Sequence, residues 1–254
     1  MKKKISNQSR RHQDYLRKKA LKTARYYDGQ LKRLRASAVK DVLEQCRDFP
    51  EKDWEDVIAL RLSEPYLPGW YRQLYIATGL PQIKSTLRDL NKEKAEDSAI
   101  WESVMRQYAD MRAGDLIVSV TGTLKETLIS ILRRELEEEG ERGVEYVTQK
   151  IYRQYRALQE WEVRRIVQTE TLVSTGVAGD AAARSLGIGF TKQWCTSGLI
   201  NTRDTHLAVD GTVVDEDEPF AVGDSLLMYP HDTSLGASAS EIINCACSCI
   251  RQPK

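Results

Sequence analysis

Three thiols crowd the stretch "NCACSC", residues 244–249, as Cys245, Cys247 and Cys249. Thiols bind soft metals, form disulfides or simply bury as small apolar groups. On a strand, residues two apart face the same side, so Cys245 and Cys247 would reach one ion together. His206 would add a third, borderline donor, and Cys249, His231, Asp232 or Asp210 a fourth. Zinc accepts such a mixed set, although its usual cysteine spacing is C-x2-C. The plainer reading is a buried closing strand with no metal. Both stay open at this point, and no other cofactor is expected.

A second chemistry uses neighbouring residues. Arg203 and His206, with Asp210 or Asp232, form an acid–base set of the kind that cleaves phosphate esters. The alternative is structural: Arg203 pairs with Asp210 or Asp232 to hold a loop, and His206 donates to a backbone carbonyl. The chain has no serine elbow, Walker loop or HExxH, and only three histidines. The expectation is therefore that none of these residues is catalytic. The acidic run Asp215 to Glu218 reads as an exposed turn.

Charge is unevenly spread. Residues 1–40 hold fourteen Lys and Arg against Asp14 and Asp28, a balance of +12, so the rest sums to −11 within a net +1. A basic arm on an acidic body points to DNA or an acidic protein surface as partner. Lys18, Lys22, Arg25, Lys32, Arg33 and Arg35 are the candidate contacts. No apolar stretch reaches the ~20 residues of a membrane span, and no signal peptide follows the first lysines. No membrane partner is expected. Five cysteines in a chain with no sign of export favour free thiols or a metal over disulfides.

The elements that position these groups follow from periodicity. Leu16, Ala20, Ala24, Tyr27, Leu31, Leu34, Ala38 and Val42 recur at helical spacing and predict a basic amphipathic helix within residues 1–48. The first ten residues are expected to be disordered. Helices are expected through residues 49–185: one from Pro50, a short one through Trp70 and Ala77 closed by Gly79 and Pro81, and a charged one over 91–112. Another should open at a Thr123/Glu126 capping box and end at Gly140, and a last one should span 145–185. Trp54, Tyr66, Trp70, Tyr71 and Tyr75 read as core rather than as a base-stacking platform. From residue 186 to 254, short runs such as "FTKQW" and "SLLMY", bounded by Gly, Asp and Pro, read as strands and turns. Asp210-Gly211 predicts a hairpin turn, with His206 on the strand before it. The expected fold class is α+β: a mainly helical N-terminal region, then a small strand- and loop-rich C-terminal module.

That module carries an ordered set of motifs: Lys192-x-Trp194, Arg203 to Gly211 with His206 and Asp210, Glu218 to Phe220, Pro230 to Ser238 with Asp232, and Ile243-Asn244-Cys245-x-Cys247. Together with "RRIVQTET", residues 164–171, the set resembles the phage Mu F-like head morphogenesis family of minor capsid proteins. The resemblance spans about residues 124–254. It departs at Ala246 and Gln168, where the family usually has Arg, and at His231, where Gly is usual. The resemblance implies a minor head protein working with the portal, other head components and packaged DNA. Its place would be the host cytoplasm during assembly and then the virion head. It also implies a structural role for Trp194, Arg203, His206, Asp210, Gly211, Pro230, Asp232, Asn244, Cys245 and Cys247. The alternatives are a nuclease-like enzyme centred on His206 and a zinc-stabilised nucleic-acid-binding protein.

Overall fold

The computed structural model describes residues 2–90, 98–137 and 143–254. It is α+β. Five helices come first: α1 (Asn7–Cys46), α2 (Trp54–Arg61), α3 (Leu67–Asp89), α4 (Ser98–Glu137) and α5 (Val144–Ser185). Strands and short helices follow: β1 (Phe190–Cys195), α6 (Asp204–Val209), β2 (Val213–Asp215), β3 (Phe220–Val222), β4 (Ser225–Leu227), α7 (Ala239–Ile242) and β5 (Ser248–Pro253). Among the described residues, no helix is long and apolar enough to cross a membrane.

The chain divides into two compact units. One comprises Tyr26–Tyr71 and Asp110–Arg164, the other Met1–Arg25, Arg72–Ala109 and Arg165–Lys254. The first is helical. Val39, Val42, Leu43 and Cys46 of α1 pack with Trp54, Val57 and Ile58 of α2, Leu124, Leu128, Ile131 and Leu132 of α4, and Val147, Ile151 and Tyr155 of α5. Of the α1 residues, Val42 continues the helically spaced stripe, and Val39, Leu43 and Cys46 lie beside it.

Arg35 is the exception to the charge pattern. It was expected on the cationic surface, yet it is fully buried. Its Nε and Nη2 donate to the two oxygens of Glu64 at 2.8 and 3.0 Å, and Nη1 donates to Glu162 at 2.9 Å. Tyr66 and Thr121 also donate to Glu64, at 2.6 and 3.1 Å. A guanidinium offers five donors in a fixed fork, so two inward-facing carboxylates can hold it away from water. Lys32 is half-buried and pairs with Asp28 at 2.8 Å and Glu160 at 3.5 Å. Lys18, Lys22, Arg25 and Arg33 are exposed as expected.

Helix boundaries moved where packing outweighs local signals. α3 runs through Gly79 and Pro81, because Trp70, Leu74, Ile83 and Leu87 are buried on both sides of them. Thr123 caps nothing: it lies inside α4, and its hydroxyl donates to the Ser119 carbonyl at 3.0 Å. Gly140 and residues 91–97 lie outside the described residues.

The second unit holds all the strands. β1 lies between β2 and β5, antiparallel to both, with Lys192 opposite Val214 and Arg251 and Trp194 opposite Cys249. β3 and β4 form a separate hairpin. Trp194, Phe220, Val222, Leu227, Cys245, Cys247 and Cys249 make one apolar cluster. The first residues, expected to be disordered, are tied to this sheet. Lys3 N–H donates to the Gly211 carbonyl at 2.9 Å, and Ile5 packs with Cys195 and Ile250. Gly211 has φ of +76°, and a Cβ there would sit 2.6 Å from the Lys3 carbonyl oxygen. Only glycine suits both the left-handed backbone and that approach.

Candidate metal centre

His206 stands on α6, not on the strand that the Asp-Gly turn suggested. Arg203 to Val209 closes a helical turn instead: the Arg203 carbonyl accepts from His206 N–H at 3.1 Å and from Leu207 N–H at 2.9 Å. Asp204 in the first turn favours the positive end of that helix. Nor are Cys245 and Cys247 on a strand, since β5 begins at Ser248. They follow α7 through Asn244, whose φ of +57° turns the chain. Asn tolerates that left-handed conformation better than most residues. Asn244 N–H donates to Thr169 Oγ1 at 3.3 Å, so the "QTET" stretch of α5 holds the turn.

Both thiols nevertheless face one histidine. His206 Nδ1 lies 3.3 Å from Cys247 Sγ and 3.5 Å from Cys245 Sγ. The three donor atoms lie within 4.8 Å of one another, and all three residues are buried. This group can hold a metal ion. Edge-on packing of the Trp194 ring, 5.5 Å from the imidazole, fixes the histidine plane. All five cysteines are free thiols.

The two thiols differ. Hydrogen bonding from the Cys247 thiol, helped by the Cys247 N–H and nearby Arg203, holds Cys245 below the ordinary thiol value against the opposing effect of burial. Cys247 is pushed well above it, first because it shares its proton with Cys245 and then by burial. The thiol pair is thus asymmetric, with the Cys247 thiol donating to the Cys245 sulfur, and a metal would bind the thiolate form.

The other residues of the motif support this group and do not join it. Arg203 donates to the Ile243 carbonyl, and neither Asp210 nor Asp232 is its partner. Asp210 pairs with Arg10 and accepts from Thr196 N–H at 2.9 Å. Burial raises the Asp210 pKa, but Arg10 and Thr196 outweigh that and leave it below the usual value. Asp232 accepts from Met228 N–H and Ser234 N–H at 2.9 and 3.0 Å and so shapes its own loop. His231 sits at φ +72°, the left-handed position that a glycine would fill without strain, and its Nε2 meets the Cys245 carbonyl at 2.9 Å. Cys249 lies on β5, with its Sγ against the Ile250 carbonyl. The acidic turn is tied down by cations: Asp217 pairs with Arg184 at 2.9 Å and Asp215 with Lys254 at 3.2 Å.

One residue escaped the sequence reading. Glu241 Oε2 lies 2.8 Å from His206 Nε2, where a backbone carbonyl was expected. The available signal was its spacing, four residues before Cys245 in the same segment.

No family model and no solved structure matches the chain. Among curated proteins, 89 residues are 36% identical to the NAD(+)--arginine ADP-ribosyltransferase EFV of Enterococcus faecalis. That stretch is 34% of this chain and 18% of that protein.

Proposed function

We propose that the protein is a minor head component of a tailed phage, acting in head morphogenesis beside the portal and packaged DNA. The observation that carries the reading is the meeting of the motif residues. Trp194, His206, Cys245 and Cys247 are in mutual contact, Asn244 is anchored on the "QTET" stretch, and Arg203 clamps the turn between α7 and the cysteines. Motif positions scattered over ninety or so residues of sequence thus serve one small module. Exposed Lys18, Lys22 and Arg25 recur at helical spacing on α1 and suit sequence-independent contact with phosphates.

Within the same reading, the His206–Cys245–Cys247 group holds zinc. Two sulfurs and one imidazole are a donor set that this ion takes, with a fourth position left for a water or another ligand. The nuclease alternative has less support. His206 is 1% exposed, and its two ring nitrogens face Cys247 and Glu241, whereas a general base must reach its substrate. The transferase activity named for the Enterococcus faecalis protein is not extended to this chain, because the likeness spans so little of that protein.

The test is co-purification. The full chain, tagged and co-expressed with the portal protein encoded in the same genome, is expected to retain the portal through a salt wash. Recovery of the tagged chain alone would remove the assembly reading.

A further inference from the structure

We propose that Glu241 is the positioning residue of the metal centre, holding the proton on His206 Nε2 so that Nδ1 is the ligating nitrogen. The inference rests on the metal reading above. A neutral imidazole has one lone pair, and the partner of the protonated nitrogen decides where it points. Glu241 Oε2 faces Nε2 at 2.8 Å, while both sulfurs face Nδ1 at 3.3 and 3.5 Å. A carboxylate accepts and cannot donate when ionised, so the Nε2 side carries the hydrogen and the free lone pair faces the thiols. Carboxylates behind ligating histidines orient the ring and raise its basicity.

Glu241 is itself held from three directions. α7 presents it, with its N–H donating to the Ser238 carbonyl at 2.9 Å. Thr205, the residue before His206, donates its hydroxyl to the same Oε2 at 3.0 Å. The β3–β4 turn closes over the pair: a Cβ on Gly223, at φ +56°, would meet Thr205 Cγ2 at 3.1 Å and Glu241 Oε1 at 3.2 Å. The Thr205 bond leaves Oε2 shared between α6 and the imidazole, so helix and ring are aligned by one oxygen. Because Glu241 and Cys245 belong to one segment, the stretch that supplies a ligand also sets the tautomer of its neighbour. A packing role alone would not require a carboxylate oxygen on the ring nitrogen that faces away from the sulfurs.

The experiment uses the full chain, zinc as the probe, and competition against a chromophoric chelator, with E241A and E241Q beside wild type. Wild type is expected to bind one zinc. E241A should bind about 10–100-fold more weakly, the range for lost outer partners of metal ligands. E241Q, whose carbonyl can still accept from Nε2, should fall between the two. The metal-free unfolding midpoint of E241Q should equal that of metal-free wild type, and the visible bands of cobalt-substituted E241A should shift. If E241A matches wild type in zinc affinity, Glu241 does not position the ligand, although the metal reading survives. If E241Q binds like wild type while E241A loses metal-free stability, Glu241 is a packing residue and the inference is overturned. If wild type itself takes up no zinc, the metal reading fails, and the inference falls with it.

Discussion

In the helical unit a buried guanidinium meets two carboxylates; in the strand-bearing unit a buried imidazole meets two thiols. The first centre answers its own needs. The Nε, Nη1 and Nη2 of Arg35 donate to Glu64 and Glu162, and Tyr66 and Thr121 donate to Glu64 as well. Donors and acceptors alternate, and the side chains of Arg35 and Glu64 are 0% exposed. In the second centre, two sulfurs and an imidazole nitrogen come within 4.8 Å of one another, carried by α6 and by the turn after α7. Buried polarity alone therefore says little about function. The first cluster is closed by its own hydrogen bonds; the second gathers groups of the kinds that can also hold a cation.

The largest effect should come from opening the closed cluster. R35A leaves two buried carboxylates without their cation and should lower stability by about 3–5 kcal/mol, read as the urea midpoint. Neutralising all three members together, as R35M/E64Q/E162Q, should recover at least half of that loss. If R35A unfolds no more easily than wild type, the centre is not the closed scaffold described here.

The thiol centre should respond differently if, as proposed, it takes a cation from outside. Zinc present at 1,000 times its Kd would stabilise the folded chain by about 4 kcal/mol. Adding chelator should therefore lower the wild-type melting temperature and leave C245S and C247S unmoved, with bound zinc near one per chain in wild type and near none in either variant. R35A should keep its response to chelator if it still folds. A wild type that ignores chelator would place the thiols with the apolar core around Trp194.

Much of the scaffold could be read from periodicity. Of the helically spaced Leu124, Leu128, Ile131, Leu132 and Leu136, the first four are buried and Leu136 is exposed, and the strands do come after residue 186. What could not be read depends on contacts between distant residues. Arg35 carries the same charge as its neighbours, and only Glu64 and Glu162, 29 and 127 residues away, make it a core residue. One of the two open readings brought His206 and the cysteines together on strands; a helical turn and a left-handed Asn244 bring them together instead. Glu241 shows the limit most clearly: its spacing before Cys245 puts it near the thiols, but that it faces an imidazole 35 residues away depends on where α6 packs. The capping box at Thr123 failed for the same kind of reason, because Met105, Ala109 and Ala113 are buried before it and Leu124 and Leu128 after it, which kept the helix going.

The smallest change in stability should come from the cations that stayed outside. Lys18, Lys22 and Arg25 share the helix of Arg35 but are exposed, and among the described residues Lys18 alone of the three forms an ion pair, with Asp14 at 2.7 Å. Exposed pairs of this kind contribute about 0–1 kcal/mol, so K18Q/K22Q/R25Q should fold with nearly the wild-type midpoint. Its effect should appear in binding to duplex DNA. If the three side chains each neutralise a phosphate, the slope of log affinity against log salt should become shallower by about 2.7, at about 0.9 per contact. Measuring affinity at several salt concentrations separates this from a general weakening, because a folding defect lowers the amount of active protein without changing the slope. An unchanged slope would mean that DNA, if bound, is held by another surface. The comparison would then sharpen: the α1 cations with a defined task would be those that hold a partner in their own unit, Arg35 on Glu64 and Glu162 and Arg10 on Asp210.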